Sequence, residues 1–322
     1  MKRLATALCF LIAALGAHAA DGALLDALTS PILFKGDANT GYRDPLLLWH
    51  DGLFHMFFTL GERDTNATNT VYSCIAHSTS RDLQHWSPVK RLTPHDLKQN
   101  FVSPGSVVRF GGEWVLCAST YPQPNGERYG NASARLYLLR SPDLERWSGP
   151  ELLRVKGPEV PVEKMGRMID ACVIPDKDDP GKWWCFYKQN GVSMSWSRDL
   201  RAWTFAGSTQ AGENVCVLVH DGRYLMFHSP PNGIGVKTSA DLRHWSDAGP
   251  LITLGQKDWP WAQGRLTAGY VADLRSVPGV GRYVMVFHGS GPEPEPIKFQ
   301  THACIGIAWS DDLKTWKWPE GK

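Results

Sequence analysis

The chain has 322 residues, 43% of them hydrophobic and 20% charged, which excludes a disordered tail or a fibrous repeat and describes a globular protein. Its 34 Lys and Arg stand against 32 Asp and Glu, and loss of Lys2 and Arg3 with a leader would bring the two counts level. That balance argues against nucleic acid or an anionic membrane as the main partner and suits a neutral ligand such as a sugar.

Lys2 and Arg3 open the chain as a basic n-region, followed by an apolar run from Leu4 to Gly16 that is too short to span a bilayer comfortably. Ala17-His18-Ala19 is a small-x-small cleavage site. Residues 1–19 are therefore expected to be a signal peptide, and residues 20–322 an exported protein, periplasmic or secreted, with no membrane segment. Cys9 has no small residue before it, so no lipid anchor is expected. The remaining cysteines, Cys74, Cys117, Cys172, Cys185, Cys216 and Cys304, form no CxxC or metal spacing and fall in apolar runs. Buried free thiols are expected, although export would permit pairing that the sequence does not specify.

From Gly41 onward one grammar repeats. An inner strand comes first: Pro45–Trp49, then Ser106–Phe110, Ala171–Ile174, Asn214–Val219 and Tyr270–Leu274. A turn follows (His50-Asp51-Gly52, Gly111-Gly112, Asp176–Gly181, Asp221-Gly222, Val277–Gly281). The second strands are Leu53–Thr59, Trp114–Ser119, Trp183–Lys188, Tyr224–His228 and Tyr283–His288. A third strand then runs into the phrase Ser-x-Asp-Leu-x-x-Trp, found at Ser80–Trp86, Ser141–Trp147, Ser197–Trp203, Ser239–Trp245 and Ser310–Trp316. The runs are rich in β-branched and aromatic residues and bounded by Gly, Asp and Pro, as strands are. Copies spaced by about 42 to 71 residues predict an all-β, five-bladed β-propeller in a single domain. The last copy leaves no room for an outer strand, so Pro31–Lys35 is expected to close the ring.

Strand direction puts the repeated phrase on the bottom face, where its Asp caps a turn and its Leu and Trp fill space between blades. The top face near the axis receives the heads of the inner strands: Asp44, Ser103, Asp170, Glu213 and the Thr267–Gly269 region. One strand-start acid would merely satisfy a turn. Three converging on an axis would shift each other's protonation, a mark of a working site. Second-strand ends add Lys188, His228 and His288 as ligand-binding or structural groups, and Arg43 and Arg265 as cations beside the acids. Trp259 and Trp261 could stack on a sugar or be packed core. The loops Gly61–Thr70, Tyr121–Ala134 and Ser290–His302 would wall the pocket.

These residues resemble those of the five-bladed propeller glycosidases, above all glycoside hydrolase family 43, at the level of blade grammar over nearly all of the mature chain. Arg43-Asp44-Pro45 is similar to the blade-one Asp-Pro that supplies the family's general base. Ile169-Asp170, followed by Val173-Ile174, resembles the segment of the Asp that orients the acid and tunes its pKa. Glu213 with Val215–Val219 resembles the blade-four segment of the general acid, although Asn214-Val215 replaces the family's Gly or Ala and Pro. The resemblance implies a carbohydrate substrate and an inverting hydrolase with no cofactor. A structural calcium near a blade-five His, here His288, occurs in some relatives; no metal is expected. The alternatives are a non-catalytic carbohydrate-binding propeller, a retaining invertase-like hydrolase or transferase, and a phosphorylase using Lys188, His228, His288 and Arg265 for phosphate. Carboxylates gathered in one pocket would favour an enzyme over a binding module.

Overall fold

The computed structural model describes residues 21–64, 66, 70–127, 129–292 and 300–320. The signal-peptide reading for residues 1–19 lies outside them. A short helix (Ala23–Asp26) precedes β1 (Ile32–Phe34). The first blade is β2 (Thr40–His50), β3 (Leu53–Arg63), β4 (Val71–Ser80) and β5 (Lys90–Arg91). The second is β6 (Phe101–Phe110), β7 (Glu113–Thr120), β8 (Leu136–Ser141) and β9 (Glu151–Leu152). The third is β10 (Ile169–Pro175), β11 (Trp183–Lys188), β12 (Val192–Ser197) and β13 (Trp203–Thr209). The fourth is β14 (Glu213–His220), β15 (Arg223–Ser229), β16 (Gly235–Ser239) and β17 (Ser246–Asp247). In the fifth, β18 (Arg265–Leu274), β19 (Arg282–Ser290) and β20 (Cys304–Ser310) are joined by β1, which pairs antiparallel with β20. The ring is thus closed by the N-terminal strand; the first four sheets are antiparallel four-stranded meanders, and the fifth takes its outer strand from the start of the chain. No helix among the described residues is long and apolar enough to cross a membrane.

Local chemistry accounts for the regularity. The β2–β3 and β14–β15 hairpins turn through Asp51-Gly52 and Asp221-Gly222, all four residues at positive φ. Two successive left-handed residues twist a two-residue loop to match its strands. The Ser-x-Asp-Leu-x-x-Trp phrase is a self-contained turn. In its third copy the Asp199 carboxylate accepts the Arg201 and Ala202 N–H groups at 2.8 Å each, while the Ser197 hydroxyl donates to the same carboxylate at 3.0 Å. The other four Asp residues, Asp82, Asp143, Asp241 and Asp312, accept the corresponding pair of N–H groups. The following Leu is left-handed in every copy, with φ between 57° and 66° at Leu83, Leu144, Leu200, Leu242 and Leu313. Buried Leu in that strained conformation is tolerated because the turn over-determines it.

The turn also aims a Trp at the neighbouring blade. Trp147 meets Phe57 edge-on at 5.7 Å, Trp245 meets Phe186 at 6.3 Å and Trp316 meets Phe227 at 6.3 Å. In each case a Trp of one blade lies against a second-strand Phe of the blade before it. The phrase therefore locks blade to blade. The six cysteines from Cys74 to Cys304 are all buried free thiols.

Candidate active site

The inner strands begin earlier than the hydrophobic runs indicate, because each contains a bulge. On β2 the pairing passes from Arg43↔Thr59 to Leu46↔Phe57, one extra residue on the inner strand. The same break occurs after Ile169, Glu213 and Thr267, and after Val102 the inner strand carries two extra residues. At each bulge sits a non-glycine residue at positive φ: Asp44 (48°), Ser103 (52°), Asp170 (54°), Asn214 (49°) and Ala268 (52°). Asp and Asn tolerate this region better than most residues. The bulge turns these side chains toward the axis. The ring therefore reads Asp44, Ser103, Asp170, Asn214, Ala268, and Glu213 stands one position ahead of it.

The bulges are stitched to one another across blades. The residue on the second strand opposite the start of each bulge is Thr59, Ser119, Lys188, Ser229 or His288. The Thr59 hydroxyl accepts the Ser103 N–H at 2.8 Å and donates to Asp44 Oδ2 at 2.9 Å. Ser119 accepts the Asp170 N–H at 3.0 Å, and Ser229 accepts the Ala268 N–H at 2.8 Å. Gly105 lets two inner strands approach closely: a Cβ there would lie 1.6 Å from the Ala171 carbonyl oxygen. A narrow axial cavity of about 20 Å³, lined by Asp44, Ser103, Asp170, Asn214 and Ala268, is large enough for about one water.

Asn214 joins the acids. Its Nδ2 donates to Asp44 Oδ1 and its backbone N–H to Asp170 Oδ2, both at 3.3 Å. Asp170 is 5% exposed. Burial first, then the negative charges of Glu213 and Asp44, push its carboxyl up to about 7, against hydrogen bonds from the Ser103 side chain and the Asn214 N–H. Glu213 is about one-third exposed and accepts Arg265 Nη2 at 2.6 Å. One carboxyl is thus deep and proton-holding, one is ion-paired at the mouth, and the half-buried Asp44 lies across from them.

The remaining predicted residues are distributed as follows. Ser103 belongs to the ring. Lys188 lies at the seam of blades three and four, its Nζ 3.5 Å from the Ala211 carbonyl. Arg43 is buried and donates to Ser73 Oγ at 3.3 Å. His288 is fully buried, where burial and the neighbouring charges of Arg43 and Arg265 hold it well below the usual imidazole range. No group of three or more His, Cys, Asp or Glu among the described residues is placed to hold a metal. His228 is one residue short of the ring-facing Ser229; its Nδ1 accepts the Gly212 N–H at 3.0 Å. Trp261, half-buried, clusters with Trp259 (5.1 Å) and Phe287 (5.8 Å), which stack on each other at 6.0 Å, and packs against the fifth blade. Sequence reasoning missed Asn214 and Thr59. Counting the extra residue in each inner strand would have put Asn214, not Glu213, in line with Asp44 and Asp170.

No family model and no curated protein matches the chain. Solved structures do match its fold. A thermostable family-43 glycoside hydrolase superposes with TM-score 0.59 at 17% identity, over 90% of this chain and 95% of its own. An exo-1,5-α-L-arabinanase from a bovine ruminal metagenomic library gives 0.58 at 14%, over 88% and 98%. A family 117 glycoside hydrolase from the marine bacterium Zobellia galactanivorans gives 0.60 at 17%, over 84% and 85%. The fold of this chain is that of the five-bladed propellers to which these hydrolases belong.

Proposed function

We propose that the chain is an exported glycoside hydrolase, exo-acting or debranching, that cleaves its substrate with inversion. The observation that carries the reading is the gathering of Asp44, Asp170 and Glu213, from three separate blades, around one funnel in which Asn214 touches two of the three. A binding module has no need of such convergence, which costs electrostatic repulsion. The glycoside hydrolases that share the fold support the reaction class.

In this reading Asp44 is the general base. It takes a proton from water, the water oxygen bonds to the anomeric carbon, the glycosidic C–O bond breaks, and the leaving oxygen takes a proton from Glu213. Inversion requires a separation of roughly 6.5–9.5 Å between the two carboxyl groups, against about 5–5.5 Å for retention. In the free protein Glu213 is paired with Arg265 at 2.6 Å, while burial and its acidic neighbours push the Asp170 carboxyl up to about 7. Sugar hydroxyls that draw Arg265 away free Glu213 to serve as the proton donor beside the buried acid. Thr59 and Asn214 fix the rotamer of Asp44, which a base needs before it needs basicity.

The test is a panel of aryl furanosides and pyranosides with the purified protein, followed by proton NMR of the first sugar released. A released sugar of inverted configuration is expected. Retained configuration would make Asp44 a nucleophile, and no hydrolysis across the panel or of oligosaccharides would favour the binding module.

A further inference from the structure

We propose that the sugar bound at this site carries a carboxylate or an equivalent oxyanion, as in a uronic acid, and that Arg167 and Lys188 recognise it. The inference rests on the glycosidase reading and deepens it.

Two cations flank the strand that bears Asp170. Arg167 stands three residues before it, half-buried, with Nε donating to the Gly130 carbonyl at 3.0 Å and its guanidinium 5.3 Å from the centre of the Tyr121 ring. Lys188 pairs with Ile169 across β10 and β11 and is also half-buried, reaching only the Ala211 carbonyl. Neither has a carboxylate partner among the described residues. A half-buried cation whose partners are all neutral can still gain a charge-assisted bond from an incoming oxyanion.

Tuning of the acids does not explain them. The strongest influences on Asp170 are burial, Glu213, Asp44, Ser103 and Asn214, and neither cation is among them. Glu213 already has Arg265. Both cations nevertheless stand beside the strand that carries Asp170: Lys188 pairs with Ile169, the residue before it, and Arg167 lies three residues ahead of it against the Tyr121 ring. A neutral sugar offers hydroxyls, which Asn, Gln or Ser would bind as well. A planar guanidinium held by a carbonyl and an aromatic face is suited to an oxyanion.

Free phosphate offers similar chemistry, so the experiment separates the two sources. Calorimetry on the full-length mature chain would compare glucuronate and galacturonate with glucose and galactose, and then inorganic phosphate. Charge-assisted bonds are expected to favour a uronate over its neutral counterpart by about tenfold or more. That preference should shrink in 0.3 M salt (roughly a 6 Å screening length). Arg167→Gln and Lys188→Gln should abolish it while leaving neutral-sugar affinity and the melting temperature unchanged, and Lys188→Arg should restore part of it. Equal binding of neutral and acidic sugars, or a preference that survives both substitutions, overturns the proposal and leaves the hydrolase reading standing. Tight phosphate binding with release of a sugar phosphate assigns the cations to an inorganic acceptor and also overturns it. Binding of neither sugar class, with no hydrolysis, removes the underlying reading and this inference with it.

Discussion

Arg265 donates to Glu213 at 2.6 Å across the seam between the fourth and fifth blades, so the side chain assigned as proton donor is ion-paired in the free protein. A donor in that state works only if ligand binding opens the pair. Arg265 is about one-quarter exposed, and therefore accessible to sugar hydroxyls entering the funnel.

The leaving group reports on that assignment. Glu213→Gln is expected to slow hydrolysis of natural glycosides by about 10²–10⁴-fold and to spare aryl glycosides of acidic phenols, which leave without a proton. Asp44→Asn is expected to lose a similar factor on both kinds of substrate, because attack by water needs the base whatever the leaving group. Steady-state rates on a series of phenols of decreasing pKa decide between the roles. Equal losses for Glu213→Gln across the series would remove it as the donor.

Asp170 links activity to stability. Its folded carboxyl titrates near 7, above the value of about 3.9 for an unfolded Asp. The folded state therefore holds the extra proton between those values, and the contribution of Asp170 to stability falls as pH rises from about 4 toward 7. Asp170→Asn keeps an acceptor for the Asn214 N–H and removes the charge. It is expected to raise the melting temperature at pH 8, to change it little at pH 4, and to abolish most hydrolysis at both. A melting temperature that moves equally at the two values would show that the Asp170 charge is not what burial penalises.

The fold was legible because its repeat is written in residues with local jobs: the Asp-Gly hairpins, the Ser-x-Asp-Leu-x-x-Trp turns and the apolar strands. The closing strand followed from arithmetic, since the fifth copy lacked a fourth strand and Ile32–Phe34 was unassigned. The site was legible in part. Asp44 and Asp170 were named correctly as axial groups, but as strand heads, whereas they sit at bulges inside strands that begin earlier. A bulge adds one residue without changing the hydrophobic pattern, so the alternation that marks strands is blind to it. The same slip separates His228, which binds the Gly212 N–H, from Ser229, which faces the ring. Trp259 and Trp261 carried two readings, sugar platform or packed core, because exposed and packed aromatics are indistinguishable in sequence; Trp261 is half-buried in a cluster with Trp259 and Phe287.

The repeated turn should matter to stability alone. Asp199 is held below the ordinary carboxylate range by the Arg201 and Ala202 N–H groups. A depressed folded pKa means stability that is present above the unfolded value of about 3.9 and lost as pH falls through the folded one. Asp199→Ala is therefore expected to lower the melting temperature by a few degrees at pH 7, with a smaller effect below pH 3, and to leave the turnover number of the folded protein unchanged. A large loss of turnover at unchanged stability would move that turn to the active face.

Ring closure gives the last prediction. Phe34 is 9% exposed and touches three rings, Tyr42 at 5.4 Å, Phe58 at 5.1 Å and Trp86 at 5.1 Å. Phe58 and Trp86 belong to the first blade, whereas Phe34 pairs with β20 of the fifth. One side chain thus spans the seam where the chain's beginning meets its end. Phe34→Ala removes a buried aromatic from a site walled by three others that cannot collapse onto it, and about 3–5 kcal/mol of unfolding free energy should go with it. Urea titration monitored by Trp fluorescence should show a lower midpoint, and hydrogen exchange should show β1 and β20 opening first. A comparable loss from Phe205→Ala, whose ring is 49% exposed on an outer strand, would mean that aromatic content rather than closure sets the stability. An unchanged midpoint for Phe34→Ala would mean that the β1–β20 pairing, and not the Phe34 ring, holds the propeller shut.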